Sequence, residues 1–203
     1  MPAADGLHVS EFGGSALSRL FGVYALVCAL ALVLAGCNGG FSTVSNARVN
    51  SGYSAAEFHY VAGNQGMRVI IHNNPFFRRS RQDLVNRTVI YAMRGQHFGP
   101  KVNFTTYPVG GKSARHRVEM VFFAPNRLSG NSLCRGRVPR PDVPVNPGTI
   151  TVLAVYCKGD IALTQARGNT IAFGPDDERF WIMIGRVTRQ LFPRDPPNRR
   201  NDT

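Results

Sequence analysis

Hydrophobic residues recur with two different periods along the middle of the chain, and these periods predict a mixture of strands and helices. Alternating or β-branched apolar positions indicate strands at 67–73, 101–107, 115–123, 149–157 and 160–167, and the pattern at 57–62 allows one more. The segment 149–157 is apolar on both faces, which is typical of a central strand. Lys158-Gly159 then predicts a tight turn into the strand that follows.

Two other segments have helical spacing. A helix is predicted over residues 81–94. It begins at Ser80-Arg81-Gln82-Asp83, which is close to a capping box, and the helical pattern stops at Gly95. A second helix is predicted from the acidic residues after Gly174-Pro175 to just before Pro193. Its apolar stripe consists of Phe180, Met183, Ile184, Val187 and Leu191. The order of elements predicts an α+β two-layer sandwich, in which two helices cover one face of a mainly antiparallel sheet.

The N-terminal region has the composition of an export signal. Arg19 precedes 17 uncharged positions, 20–36, that are rich in Leu, Ala and Val. At their end, Leu34-Ala35-Gly36-Cys37 resembles the lipobox of bacterial lipoproteins. In that family the Cys thiol receives a diacylglyceryl group and the chain is cleaved before it, so the resemblance implies Cys37 as the lipidated first residue of the mature protein.

Two alternatives to the lipoprotein interpretation stay open at this point. One is an uncleaved membrane helix, although 17 residues are at the short limit for a bilayer core of ~30 Å. The other is a signal peptide that is cleaved elsewhere. The resemblance also implies a location, because an Asp after the lipidated Cys tends to retain lipoproteins in the inner membrane. Asn38 at that position favours the outer membrane where a bacterium has two, with the protein facing the periplasm.

Composition divides the chain into four parts. Residues 1–36 are the predicted signal peptide, and 37–55, rich in Gly, Ser and Asn, are predicted to be a flexible tether. Residues 56–192 form the predicted single domain. The Pro- and Arg-rich segment 193–203 is predicted to be a disordered basic tail.

The cysteines point to one disulfide. With Cys28 removed with the signal and Cys37 acylated, Cys134 and Cys157 remain as a pair in an oxidising compartment. Closing this loop of about 24 residues would stabilise the fold by roughly 3 kcal/mol in the chain-entropy model. The alternative is two separate buried thiols. Paired CxxC spacing is absent, so no zinc or other metal site is expected.

The sequence contains no catalytic motif that would identify an enzyme. It has neither GxSxG nor HExxH, and its one partial phosphate loop lacks the first glycine. We therefore expect no catalytic residues and no cofactor. An envelope hydrolase stays as an alternative, with a site near Glu119, Asp160 and a histidine, but no spacing in the sequence brings these residues together.

The net charge indicates a function more clearly than any catalytic motif does. Lys and Arg number 24 against 12 acidic residues, and residues 37–203 have a formal charge of +13. Two groups of arginines are candidate anion-binding residues: Arg78, Arg79 and Arg81 before the first predicted helix, and Arg135, Arg137 and Arg140 in the Pro-rich stretch 125–148. Arginines at a helix N-terminus oppose the helix dipole, and a bound anion would resolve that conflict. The alternatives are that these arginines are simply solvated and that the adjacent Phe76-Phe77 enters the core or touches a lipid interface.

These features together predict a lipid-anchored envelope protein. Basic charge also occurs in nucleic-acid-binding proteins, but an export signal argues against that partner. We expect a non-catalytic binding or scaffold protein that contacts an anionic envelope polymer or an envelope protein through Arg-rich surfaces. The element order also resembles that of the outer-membrane lipoprotein of the lipopolysaccharide-assembly machinery, which is a lipid-anchored two-layer α+β protein. This resemblance implies an accessory role in that machinery as a further alternative.

Overall fold

A six-stranded mixed sheet organises residues 42–144 and 146–194, the part of the chain that this computed structural model describes. The strands are β1 (Thr43–Val49), β2 (Met67–His72), β3 (Phe104–Thr105), β4 (His116–Phe122), β5 (Thr149–Lys158) and β6 (Ile161–Ile171). Their order across the sheet is β1-β6-β5-β4-β2-β3. The helices are α1 (Ala55–Gln65), α2 (Gln82–Met93), α3 (Gly130–Cys134) and α4 (Glu178–Leu191), and a 3₁₀ helix, Gly111–Arg115, leads into β4.

The fold class predicted from the sequence is confirmed as α+β, with two corrections. The sheet is mixed and not mainly antiparallel, because β2 is parallel to both β3 and β4 while β1, β6, β5 and β4 are antiparallel neighbours. The crossover through α2 returns the chain to the same end of the sheet, which makes β2 and β4 parallel. The prediction of two helices on one face is also wrong, since α1, α2 and α4 bury side chains in one core and α3 belongs to another.

The first face of the sheet carries the larger core. Alternate residues of β4 and β5 point into it, and these are Val118, Met120, Phe122, Ile150, Val152, Ala154 and Tyr156. The apolar stripe predicted for α4 is fully buried against them. Asp177 caps α4 because its side chain accepts a hydrogen bond from the Arg179 backbone N–H. The Arg179 guanidinium also donates to this carboxylate and, with that backbone bond, lowers the pKa of Asp177.

The second face carries a smaller core under the Pro-rich stretch. Val121, Leu153 and Val155 pack against Leu133 of α3. The disulfide predicted between Cys134 and Cys157 is confirmed, with a Cα–Cα distance of 5.6 Å. It fastens α3 to the central strand β5, so Leu128 and the helix α3 cover this face of the sheet.

Three segments differ from the sequence prediction. The pattern at 57–62 belongs to helix α1, which begins after Ser54, whose Oγ accepts a hydrogen bond from the Glu57 N–H. β1 lies inside 37–55, the predicted tether, because β6 offers it an antiparallel edge from Thr164 to Asn169. Only Phe104–Thr105 of the predicted strand 101–107 pairs with a neighbour, β2.

The predicted signal peptide, Cys37 and most of the predicted tail lie outside the described residues. Within the described ranges, no helix has the length and apolar character needed to span a bilayer.

Candidate functional site

Several loops meet at one end of the sheet, and hydrogen bonds to backbone carbonyls hold them together. The loop after β2 contacts the loop after β6, since the Arg79 guanidinium donates to the Phe173 carbonyl at 3.2 Å. The Ala172 N–H donates to the Gly148 carbonyl just before β5. The Asp142 N–H donates to the Phe123 carbonyl just after β4. The end of β2 and the start of β5 therefore lie beside the end of β6.

We call this region the aromatic end and define it by Phe77, Arg78, Arg79, Ile171 and Phe173. Phe77 is 66% exposed and Phe173 is 49% exposed, and both line a shallow pocket of about 210 Å³. The Arg78 guanidinium lies 5.5 Å from the centroid of the Phe77 ring, within cation–π range. Ile171 is also exposed. The surface thus combines large apolar side chains with guanidinium groups.

The first predicted arginine group flanks this end. Arg78, Arg79 and Arg81 are all exposed. Arg81 is the N-cap residue of α2, and its Nε lies 3.3 Å from a carboxylate oxygen of Asp83 in the first helical turn. Asp83 supplies the negative charge that suits the helix dipole, so this N-terminus does not need an added anion. The predicted Ser80 cap is wrong, because Arg81 takes that position without a side-chain cap bond.

The second predicted arginine group lies elsewhere, on the stretch after α3. Arg135, Arg137 and Arg140 are exposed. Backbone N–H groups of Arg135 and Arg137 donate to the Asn131 and Ser132 carbonyls, which holds this stretch close to α3 on the second face of the sheet. Among the described residues, no ion pair joins these three arginines to a carboxylate. Their guanidinium groups face solvent.

A third basic surface, which the sequence analysis does not single out, lies along α2. We define the α2 surface by Arg87, Tyr91 and Arg94, with Tyr107 and Trp181 on its flanks. Two grooves share it: one of about 800 Å³ between α2 and the chain at β3, and one of about 510 Å³ between α2 and α4. Tyr91 is 62% exposed and meets the Trp181 ring edge-on at 5.8 Å between centroids.

The charges of the α2 surface are mainly positive. Arg189 of α4 lines the second groove together with Arg94, and its guanidinium donates to the Gln96 side chain at 2.6 Å. Two acids accompany them: Asp83 lies 3.7 Å from Arg87, and Glu178 lines the second groove. Exposed guanidinium groups beside aromatic faces suit a ligand that offers carboxylates or phosphates next to flat apolar groups.

The residues of the hydrolase alternative are only partly brought together. Glu119 is 4% exposed and its two oxygens are engaged, one by Arg117 Nε at 2.6 Å and one by His72 Nε2 at 2.8 Å. Arg117 also donates to the Gly159 carbonyl at 3.0 Å. Asp160 is an exposed residue of the turn between β5 and β6. Glu119 thus joins β2 to β4, and Arg117 joins β4 to this turn.

A second buried polar cluster joins α1 to the sheet. His116 Nδ1 lies 2.8 Å from the Tyr156 hydroxyl, and His116 Nε2 lies 3.7 Å from Glu57, which also binds Lys158. Burial lowers the pKa of the His116 imidazole and raises the pKa of the Tyr156 hydroxyl, because both charged forms would lose hydration. Tyr156 is buried in the larger core, so this cluster lies under α1 and not in an open cleft.

Among the described residues, no three His, Cys, Asp or Glu side chains lie close enough together to hold a metal ion. No protein-family model, curated protein or solved structure matches the chain. Any functional argument therefore depends on the surfaces of the domain itself.

The α2 surface has a signal in the sequence, a polar and aromatic helix face opposite the apolar one. Arg87, Tyr91 and Arg94 have the spacing i, i+4 and i+7, which places them on one face of a helix. The apolar spacing of 81–94 identifies the buried face, and the opposite face then has an aromatic residue between two arginines. The partners on α4 and near β3 are separated in sequence, so only the fold brings them beside α2.

Proposed function

We propose that this chain is a lipid-anchored protein of the bacterial cell envelope whose α+β domain binds an anionic envelope polymer and catalyses no reaction. The likeness of Leu34-Ala35-Gly36-Cys37 to a lipobox supports the anchor. The combination of arginines and aromatic side chains on the α2 surface is the observation that supports the binding function. The domain faces the periplasm, and Asn38 favours the outer membrane in a host with two membranes.

The α2 surface suits a polymer for physical reasons. Two grooves run along one helix and share Tyr91 and Arg94, so an extended ligand could contact both sides of that helix. Aromatic faces pack on sugar rings or aliphatic chains, and guanidinium groups bind carboxylates and phosphates with two parallel hydrogen bonds. Peptidoglycan and lipopolysaccharide both offer these groups together.

The non-catalytic part of the proposal has separate support. A general acid or base needs a free proton-transfer site within reach of a substrate. Both oxygens of Glu119 are engaged by Arg117 and His72, and the side chain is buried. Its contacts favour a structural role for this carboxylate.

The anchor is tested by metabolic labelling with a clickable fatty acid in the native host. We expect the wild-type chain to be labelled and the Cys37→Ala variant to lose the label. Absence of label on the wild type, or label that persists in the variant, would disprove lipidation at Cys37.

The binding function is tested with the full-length lipidated chain purified in mild detergent. We expect it to co-sediment with isolated peptidoglycan or to bind lipopolysaccharide at low salt, and to release the ligand as salt screens the charges, since the Debye length falls to ~3 Å at 1 M. The Arg87→Ala/Arg94→Ala variant should bind at least about tenfold more weakly, since each charged hydrogen bond contributes about 1.5–3 kcal/mol.

The Arg135→Ala/Arg137→Ala variant is the matched control, because it removes the same charge from the stretch after α3. It should bind like the wild type. Equal losses in the two variants would mean that net charge and not the α2 surface causes binding. Failure of the wild type to bind either polymer at low salt would reject the proposed ligand class.

A further inference from the structure

The aromatic end combines exposed rings with arginines at the place where the described chain begins. We propose that this end lies on the surface of the anionic phospholipid bilayer that holds the lipid anchor, with Phe77 and Phe173 among the head groups and Arg78 and Arg79 against lipid phosphates. The inference rests on the proposed lipidation of Cys37 and adds which part of the domain faces the membrane.

The chain between the proposed anchor and the domain is short. Cys37 precedes Ser42 by five residues, and five extended residues span at most about 18 Å. Ser42 is buried and its carbonyl accepts a hydrogen bond from Arg186 of α4, so the start of the domain is fixed. A lipidated Cys37 thus restricts which surface of the domain can approach the bilayer.

The first described strand begins at the same end of the sheet as the aromatic end. Thr43, the first residue of β1, pairs with Asn169 near the end of β6. Ile171 and Phe173 follow Asn169 by two and four residues, a distance of about 7–14 Å along an extended chain. The chain therefore enters the domain at the end that carries Phe173, and Arg79 joins the loop of Phe77 to it.

The exposed side chains of the aromatic end combine apolar groups with guanidinium groups. Phe77, Phe173 and Ile171 are each about half exposed or more, and neighbouring apolar side chains left in water are characteristic of an interaction surface. Arg78 lies over the Phe77 ring, and Arg79 directs one N–H to a carbonyl, which leaves further guanidinium donors for phosphate oxygens. Rings with arginines beside them are typical of membrane-interface segments.

The acidic residues nearby limit how strongly the surface attracts lipid. Asp177 is bound to Arg179, and Asp83 lies within ion-pair distance of Arg81 and Arg87. Asp142 and Asp176 are exposed in the adjoining loops. We therefore expect weak binding by this surface alone and a stable orientation only when the lipid anchor holds the domain at the membrane.

The test uses tryptophan fluorescence in vesicles that contain brominated lipids, which quench nearby indoles. The chain has a single tryptophan, so the Trp181→Phe variant has no tryptophan fluorescence of its own. Phe77→Trp places the probe at the aromatic end. Ile161→Trp is the matched control, because Ile161 is 56% exposed and begins β6, about 34 Å along the strand from Ile171.

The expected result refers to the full-length lipidated chain, reconstituted in phosphatidylglycerol-containing vesicles. Bromolipid should quench the Phe77→Trp variant several times more than the Ile161→Trp variant. Adding Arg78→Ala/Arg79→Ala, or using neutral phosphatidylcholine vesicles, should reduce this difference. If Phe77→Trp impairs folding by circular dichroism, Ile171→Trp serves as the second probe of the aromatic end.

Failure of the orientation is distinguishable from failure of the anchor. Mass spectrometry of each preparation first determines whether Cys37 is acylated. If it is not, the proposed function fails. If it is acylated and the two probes are quenched equally, or the Ile161→Trp probe more strongly, the aromatic end does not face the bilayer and this inference is wrong.

Discussion

His116 shows how a single buried residue makes the domain sensitive to acid. Its side chain is 4% exposed and Nδ1 is hydrogen-bonded to the Tyr156 hydroxyl, and burial favours the neutral imidazole. Desolvation lowers its pKa, and the positive charges of Lys158 and Arg115 act in the same direction while Glu57 opposes them. Burial lowers the pKa of His97 as well.

We expect acid to destabilise the domain through these histidines. The native-state pKa is below the unfolded value of about 6.5, so the unfolded chain binds the proton more readily. The contribution of the neutral histidines to the free energy of unfolding is complete above pH ~6.5 and is lost as the pH falls through their native pKa. The urea midpoint should therefore fall from pH 7.5 to pH 5, a range set by that unfolded value.

The contribution of His116 is isolated by comparing slopes rather than absolute stabilities. His116→Gln should give a shallower fall of the urea midpoint with pH, whatever its effect at pH 7.5. His59→Gln is the control, since His59 is partly exposed and its Nε2 contacts the Phe98 carbonyl. Parallel slopes for the wild type and His116→Gln would contradict the assignment.

Among the elements, α4 packs closely against β6 at Gly168. A Cβ at Gly168 of β6 would lie 2.7 Å from Val187 Cγ2 and 2.9 Å from Met183 Cγ, both on α4. Both distances are shorter than real Cβ contacts, so only a glycine lets α4 approach the sheet this closely. The capped N-terminus at Asp177 and the buried stripe of α4 then fix the helix along β6.

The Gly168→Ala variant tests this approach. Adding one methyl group should force α4 away from β6 and destabilise the domain by about 1–3 kcal/mol, the usual cost of overpacking a core. Gly63→Ala is the matched control, because a Cβ there meets nothing within 4 Å on the exposed side of α1. It should stabilise the domain by about 0.5–1 kcal/mol, as alanine does within helices. Chemical denaturation measures both, and unchanged stability in Gly168→Ala would contradict the packing argument.

The elements differ in how well the sequence predicts them. α2 and α4 have long patterns with one helical period, and β5 is a long run that is apolar on both faces. The observed bounds of all three lie close to the predicted ones. The segment 57–62, whose pattern allows a strand, belongs to α1, and Ser54 and Glu57 have the capping-box spacing that marks the start of this helix. β1 has little apolar character, so its strand conformation depends on the β6 edge and could not be derived locally.

The candidate surfaces illustrate the same limit. The sequence identifies Arg78 and Phe77, because charge and aromatic residues are adjacent there. The approach of Phe173 to them, and of Trp181 to Tyr91, is long-range and follows only from the packing of β6 and α4. Local patterns identified individual residues, and tertiary structure assembled the surfaces.

At the scale of the whole molecule, the proposed anchor and the aromatic end act together. In the proposed orientation each contact of the aromatic end with lipid is weak, and a lipid anchor at Cys37 would make it an intramolecular event with a high effective concentration. The short connection from Cys37 to Ser42, with four residues between them, would set that concentration. The α2 grooves and the pocket at the aromatic end share no lining residue, so the two proposed contacts do not compete for the same side chains.

Lengthening the connection should weaken the orientation without removing the anchor. Inserting about 20 Gly and Ser residues before Ser42 lowers the effective concentration about tenfold, since it falls as roughly the −3/2 power of linker length. In the bromolipid assay, the Phe77→Trp probe should then be quenched less, and adding Arg78→Ala/Arg79→Ala should reduce quenching to that of the Ile161→Trp probe. Acylation and recovery with vesicles should stay unchanged, because both depend on Cys37. Undiminished quenching in the lengthened chain would mean that the aromatic end binds the bilayer strongly by itself and that the short connection does not set the orientation.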